Sequence, residues 1–208
     1  MAAELVWATP NAEQLIVKMA RVSNPSNEDN MDTAPGLLRY LIKHKHWSPF
    51  EMANLCVKIS TQRDISAQIL RHRSFSFQEF STRYAVPGNG YCMGDLRRQD
   101  NKNRQNSFDD LDQELKDSFH NEIINLIGAI DSLYHRMIKH DVAKETARRI
   151  LPLCTNTTLY MNGTLRSWIH YLDLRCDPAT QLEHREIANE IKKIFCEQFP
   201  VIAEAAFN

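Results

Sequence analysis

The sequence predicts an α+β fold: a small, mostly antiparallel sheet packed by several helices, one of them long and in the C-terminal half, within a single domain spanning residues 1–208. Two periodicities and one length predict it. Ala53, Leu55, Val57 and Ile59 alternate with Asn54, Cys56 and Lys58, the period-two pattern of a strand with one apolar face. Leu111, Leu115, Phe119, Ile123, Leu126, Ile130, Tyr134 and Met137 recur at helical spacing and read as the core face of a long helix. A chain of 208 residues, 43% of them hydrophobic, is long enough for one core and too short for two comfortable ones.

Taken in order, residues 4–8 read as a strand and 11–22 as a helix with Leu15, Ile16 and Met19 on one face, ending before Asn24-Pro25. A polar loop over 23–32 leads to a helix from Pro35, a residue suited to a first turn, to about Lys45, with Leu37, Leu38, Leu41 and Ile42 as its stripe. The strand that follows feeds a short helix over 64–70. Residues 88–107 are polar and Gly-containing, a mobile loop in which Arg97, Arg98, Lys102 and Arg104 are solvated. Ser107 with Asp110 resembles an N-cap pair for the long helix, and Asp141 caps the next one. That helix carries Arg148 in its last turn and stops near Leu151, because Pro152 disfavours helical geometry in the residue before it. Leu165, Trp168, Ile169 and Leu172 then form an apolar face opposite Arg166, His170 and Asp173. If that helix persists, Arg175 lies on the apolar side, where an unpaired guanidinium is costly and a ligand anion or carboxylate relieves it. Thr180 with Glu183 reads as a capping box opening a final helix that buries Leu182, Ile187, Ile191, Ile194 and Phe195.

A net charge of −1 gives no global attraction for nucleic acid or an anionic membrane, so any anion site is a local cluster of Arg, and small ligands are favoured. No segment reaches the length of a membrane span and no signal-peptide pattern opens the chain, so a soluble, cytoplasmic protein is expected. Cys56, Cys92, Cys154, Cys176 and Cys196 are widely spaced without a C-x-x-C pair and read as free thiols, and no metal site is expected.

The local Arg cluster is Arg71-His72-Arg73, followed by Ser81 and Arg83. Guanidinium groups keep their charge and fit phosphate oxygens in pairs, so two of them flanking a His suggest a phosphate-bearing ligand; a solvated, salt-bridged face is the alternative reading of the tripeptide. If residues 78–84 are extended, Glu79, Ser81 and Arg83 project to one side. Gln68 and Arg71, three apart on a helix, share a face.

The string fits R-H-R-x(7)-S-x-R, which closely resembles the signature of the flavin-dependent thymidylate synthases. His46-Trp47-Ser48-Pro49-Phe50-Glu51 is similar to that family's H-x-[ST]-P-F-E segment, and Ala147-Arg148, Leu151-Pro152 and Leu172-Asp173-Leu174-Arg175 resemble its C-terminal half. Three departures stand out: Met52 where a second His is common, Asp177-Pro178-Ala179 where many members carry a His, and His170 where some carry Asn.

The resemblance implies methylation of dUMP to dTMP, with methylenetetrahydrofolate as one-carbon donor and FAD, reduced by NADPH, carrying the hydride. It implies a homotetramer with shared active sites, small-molecule substrates and no nucleic-acid or membrane partner. FAD would be held by Ser48, Glu51, Arg71, His72, Arg73, Glu79, Thr164, Arg166 and His170, and dUMP by Gln68, Arg71, Glu79, Phe80, Ser81, Thr82, Arg83, Arg148 and Arg175. Arg175 is the expected stabiliser of charge on the uracil ring, Ser81 a positioning hydroxyl, and His46 a candidate for proton handling or folate contact. The competing classes are a nucleic-acid- or nucleotide-binding module without redox activity, and a flavoenzyme acting on another pyrimidine nucleotide.

Overall fold

A computed structural model describes residues 2–88, 90–104 and 106–207. In chain order the elements are β1 (Ala2–Ala8), α1 (Ala12–Ala20), α2 (Ala34–Lys43), β2 (Asn54–Gln62), α3 (Arg63–Ile69), β3 (Ser76–Glu79), β4 (Arg98–Gln99) and β5 (Ser107–Phe108). They continue with α4 (Gln113–Lys139), α5 (Lys144–Ala147), β6 (Asn156–Thr164), α6 (Leu165–Arg175), α7 (Leu182–Gln198) and α8 (Pro200–Phe207). Short 3-10 turns lie at Pro25–Asn27, Ser48–Glu51 and Arg148–Ile150. Four strands form an antiparallel sheet in the order β1-β2-β6-β3, and β4 and β5 make a separate antiparallel pair, so the fold is α+β with a long C-terminal-half helix.

The residues group into two compact units: Met1–Ile59, Leu70–Gln78 and Leu159–Asn208 form the first, Ser60–Ile69 and Glu79–Thr158 the second. In the first unit α7 packs on β1 and α6, and α2 packs on α1 and α8. Ala53, Leu55, Val57 and Ile59 are all fully buried, as their alternation requires. Trp168, Tyr171, Phe195 and Phe199 are sequestered nearby in the same unit, each contributing about 1.5–3 kcal/mol by leaving water. Glu13 turns its carboxylate onto the start of α8, accepting from the amides of Val201 at 2.8 Å and Ile202 at 3.0 Å, so orphan donors at a helix N-terminus meet a negative charge.

Several local expectations are corrected. α1 buries Ala12, Ile16 and Val17, and Met19 is exposed. The long helix starts at Gln113, capped by Asp112, which accepts from Leu115 N at 3.2 Å, so Ser107 and Asp110 are not its cap. Of its apolar residues only Tyr134 is buried; Leu115, Phe119, Leu126 and Leu133 are exposed. Asp141 does not cap α5: its φ of 60° puts it in a left-handed turn, and Ala143 holds the cap position. Arg148 opens a 3-10 turn, not the last turn of an α-helix. Gln181 precedes α7 without a side-chain cap, while Thr180 Oγ1 donates to Leu174 O at 3.2 Å. The polar 88–107 stretch contains strand β4 and pairs it with β5: Arg98 binds Asp110 at 2.7 Å and lies over the Phe108 ring, and Arg97 reaches Ser107 Oγ at 2.9 Å. Asn89 and Gln105 of that stretch lie outside the described residues.

Candidate active site

The R-H-R segment sits in the first unit between α3 and β3, and its side chains alternate outward, inward, outward. Arg71 and Arg73 are exposed and have no hydrogen-bond or ion-pair partner among the described residues. His72 turns inward. What fixes this alternation is Phe75, whose amide closes a turn onto His72 O at 3.2 Å and whose buried ring stacks edge-on against Trp168 at 4.7 Å. Gly163 makes room for it: a Cβ at that position would lie 2.6 Å from Phe75 Cε1. Ser167 Oγ donates to Ser74 O at 3.3 Å, so α6 anchors the loop by one further bond, and Trp168 Nε1 donates to Leu55 O at 2.9 Å, which holds α6 to β2.

α6 runs unbroken to Arg175, as the apolar phase required, and Arg175 is half-buried on the face shared by Trp168, Tyr171 and Leu172. Its Nε donates to His72 Nε2 at 2.9 Å. The bond requires a lone pair on Nε2, so the neutral His72 carries its proton on Nδ1. Burial, reinforced by the Arg175 charge, lowers the His72 pKa to about 4, so the imidazole is neutral near pH 7. No carboxylate forms an ion pair with Arg175 among the described residues. Its position in the last turn, where the helix dipole favours a cation, offsets part of that cost.

Other expected residues of this unit lie around the turn at Ser48–Glu51. Glu51 pairs with Arg166, both partly exposed, and the His170 ring meets Trp47 edge-on at 4.8 Å. Ser48 is exposed at the start of the turn. Thr164 is the N-cap of α6, accepting from Ser167 N at 3.3 Å, so its hydroxyl already has a structural task. His46 is exposed in a cluster with Tyr40 at 5.8 Å and His44 at 6.2 Å.

The second unit holds Gln68, Glu79, Phe80, Ser81, Thr82, Arg83 and Arg148. Glu79 Oε1 accepts from Ser66 Oγ at 2.9 Å and Thr157 Oγ1 at 3.0 Å, which fixes the carboxylate at the end of β3. The chain is not extended through residue 84, as one-sided projection of Glu79, Ser81 and Arg83 would need. Phe80 N still reaches Thr158 O at 2.9 Å, but Ser81 O then accepts from Tyr84 N and Ala85 N, each at 3.1 Å, and the chain turns. The Ser81 hydroxyl accepts from Arg83 N at 3.4 Å, the local competition with extended pairing typical of Ser. Thr82 is buried, whereas Arg83 is exposed with its guanidinium 5.8 Å from the Tyr84 ring centroid. Gln68 and Arg71 do not share a helical face, because α3 ends at Ile69 and the two residues belong to different units. Gln68 and Arg148 are half-buried.

Residues 4–201 match the family described as thymidylate synthase complementing protein. The chain belongs to that family. Among the relatives of this chain, a probable flavin-dependent thymidylate synthase of Paramecium bursaria Chlorella virus 1 is 49% identical over 201 residues, covering 97% of this chain and 93% of the relative. A flavin-dependent thymidylate synthase of a Synechocystis species is 50% identical over 193 residues, covering 93% and 88%. The crystal structure of a UMP/dUMP methylase from Streptomyces cacaoi bound with 5-Br dUMP aligns with a TM-score of 0.86 at 25% identity, covering 98% of this chain and 93% of that one.

Sequence reasoning missed Tyr171, His184, Ser66 and Thr157, each of which holds an expected site residue or its neighbour. Tyr171 carried a faint signal, since it lies four residues before Arg175 on the same helix. Ser66 and Thr157 meet Glu79 only through tertiary pairing and left none.

Proposed function

We propose that this chain is an FAD-dependent thymidylate synthase that converts dUMP to dTMP, and that residues 1–208 make up one such domain. Methylenetetrahydrofolate donates a one-carbon unit at the formaldehyde level and NADPH supplies the two electrons that bring it to a methyl group, leaving tetrahydrofolate and NADP. The observation that carries the reading is Arg175: a half-buried guanidinium, held by a neutral imidazole and without a carboxylate partner among the described residues, beside the signature loop of the family. The names of relatives that match nearly the whole chain support the flavin and the reaction.

The donor set suits FAD. Arg71 and Arg73 present guanidinium groups unclaimed by other described residues, and His72 has an Nδ1–H, so this loop would take the pyrophosphate. Ser48, Glu51, Glu79, Thr164, Arg166 and His170 would supply further contacts. Bound FAD supplies hydride chemistry. The protein's share of the reaction is alignment and charge. Adding a nucleophile or hydride to uracil pushes negative charge toward N3 and the carbonyl oxygens, and Arg175, cationic at any working pH, stabilises it. Gln68, Arg71, Phe80, Thr82, Arg83 and Arg148 would hold the nucleotide with Glu79, and Ser81 would position the pyrimidine, since its hydroxyl has no adjacent base to make it a nucleophile. His46, exposed among aromatic rings, would contact the folate or pass a proton.

A homotetramer with shared sites is part of this reading. α4 exposes Leu115, Phe119, Leu126 and Leu133, a row of apolar side chains on one long helix that a second copy would cover. The protein acts on small molecules and is cytoplasmic; no helix is long and apolar enough to cross a membrane among the described residues. Two measurements test the whole reading. Protein purified with excess FAD should show the flavin absorption bands and, given NADPH, methylenetetrahydrofolate and dUMP, should form dTMP. Colourless protein without dTMP, binding polynucleotide in a strongly salt-dependent way, would favour the nucleic-acid-binding class instead.

A further inference from the structure

Beneath Arg175 and His72 lies a buried polar pair that no part of the flavin and nucleotide reading uses. The Tyr171 hydroxyl and His184 Nε2 are 3.0 Å apart, and the two residues are 2% and 0% exposed. Tyr171 comes from α6, one turn before Arg175, and His184 from α7, which packs against α6. The Tyr171 ring meets the His72 ring edge-on at 4.8 Å, and Phe75 at 5.8 Å and Trp168 at 5.6 Å pack it from other directions. His72 in turn accepts from Arg175. A continuous chain of contacts therefore runs from α7 to the guanidinium: His184, Tyr171, His72, Arg175.

Resting on the role of Arg175 given above, we propose that Tyr171 and His184 are positioning residues for thymidylate synthesis: their mutual hydrogen bond locks the wall against which His72 stands, and through His72 it aims Arg175. An apolar pair would fill the same volume without the desolvation cost that a phenol and an imidazole bring inside, so their presence asks for a reason beyond packing. The hydrogen bond supplies one, because it ties the far end of the Tyr171 side chain to His184 on α7 and so fixes where the ring stands beside His72. His72 can then accept from Arg175 in only one orientation.

The charges around the chain keep it in this form. His184 is faced by Arg175, His72 and Tyr171, and burial together with the Arg175 charge lowers its pKa to about 4, matching His72. Tyr171 is faced by Arg175, Cys176, His72 and His184, and burial pushes its phenol up, so it stays a donor. Both imidazoles are neutral near pH 7, each keeping one acceptor nitrogen, which is what the two observed bonds need.

The test is the full-length, FAD-supplemented protein carrying Tyr171→Phe, with two readouts: the titration of His72 followed by NMR of the 15N-labelled imidazoles, assigned with His72→Gln, and the steady-state kinetics of dTMP formation. Without the hydroxyl, His72 should loosen from Arg175 and its pKa should climb from about 4 toward the ordinary 6.5. kcat and kcat/KM should fall together by about tenfold, the rate equivalent of one ordinary hydrogen bond, as for an interaction used in the transition state. Where the single variant folds poorly, Tyr171→Phe with His184→Leu removes both polar partners at nearly constant volume; it should recover stability and still show the raised His72 pKa and the slower turnover. A purely structural pair would be rescued in all three. Unchanged His72 titration together with unchanged kcat, in either variant, overturns the proposal. A shifted His72 titration in a protein whose wild type makes no dTMP supports the contact chain while overturning the thymidylate reading.

Discussion

α6 and α4 look alike as strings of letters, each with apolar residues at helical spacing, and they end in opposite environments. The 11 residues of α6 bury Leu165, Trp168, Ile169, Tyr171 and Leu172, whereas the 27 residues of α4 bury Tyr134 alone. Periodicity states that a face is apolar; it does not state what covers it. α6 is covered within its own unit and carries Arg175 in its last turn. α4 presents its stripe outward, the face that the proposed tetramer would cover.

The contrast can be broken hardest at the functional end of α6. Arg175→Ala should lower dTMP formation by about a thousandfold or more, the scale of losing a charge-stabilising donor, while circular dichroism and flavin uptake stay near wild type. Near-normal turnover would remove Arg175 from the chemistry and leave α6 a packing helix only.

A second, smaller effect separates the two helices by stability. Trp168→Ala, which empties a fully buried site and removes the bond to Leu55 O, should cost about 3–5 kcal/mol in urea unfolding. Leu126→Glu in α4, at a residue 64% exposed, should instead leave the secondary structure intact and shift sedimentation toward a lower mass. An unaltered sedimentation coefficient would mean that this stretch of α4 faces solvent in the working protein.

The smallest effect is a pH slope. His72 and His184 titrate at about 4 in the fold and near 6.5 once unfolded, so between these values the unfolded chain binds more protons. Stability should therefore fall as pH drops from about 6.5 to about 4, by an excess of up to two protons, and flatten below, where both states are protonated. Urea midpoints measured across that window should lose most of this slope in a variant carrying both His72→Gln and His184→Gln. A slope that persists unchanged would assign the acid sensitivity to other groups.

Much of this was legible in the letters. The alternation around Leu55 and Val57 placed the best strand, the phase of Trp168 and Leu172 put Arg175 on a buried face, and the R-H-R string with Ser81 and Arg83 pointed to the family. What was hidden depended on partners far away in sequence or on turns decided by a single hydroxyl. The turn at Ser81 hides because its own side chain and carbonyl capture nearby amides, which an alternating pattern does not reveal. The Tyr171–His184 bond hides because it needs the packing of α6 against α7. The fate of α4 hides because an apolar stripe has the same spelling whether its cover belongs to the same chain or to another.

Gly163 has a consequence for anyone who randomises this protein. A Cβ there would lie 2.6 Å from Phe75 Cε1, so alanine, the mildest replacement chemistry offers, must displace the ring that seats the loop carrying Arg71 and Arg73. A screen for the proposed flavin uptake would score a disturbed loop as a lost ligand contact, although the atom at fault is a methyl group packed against Phe75.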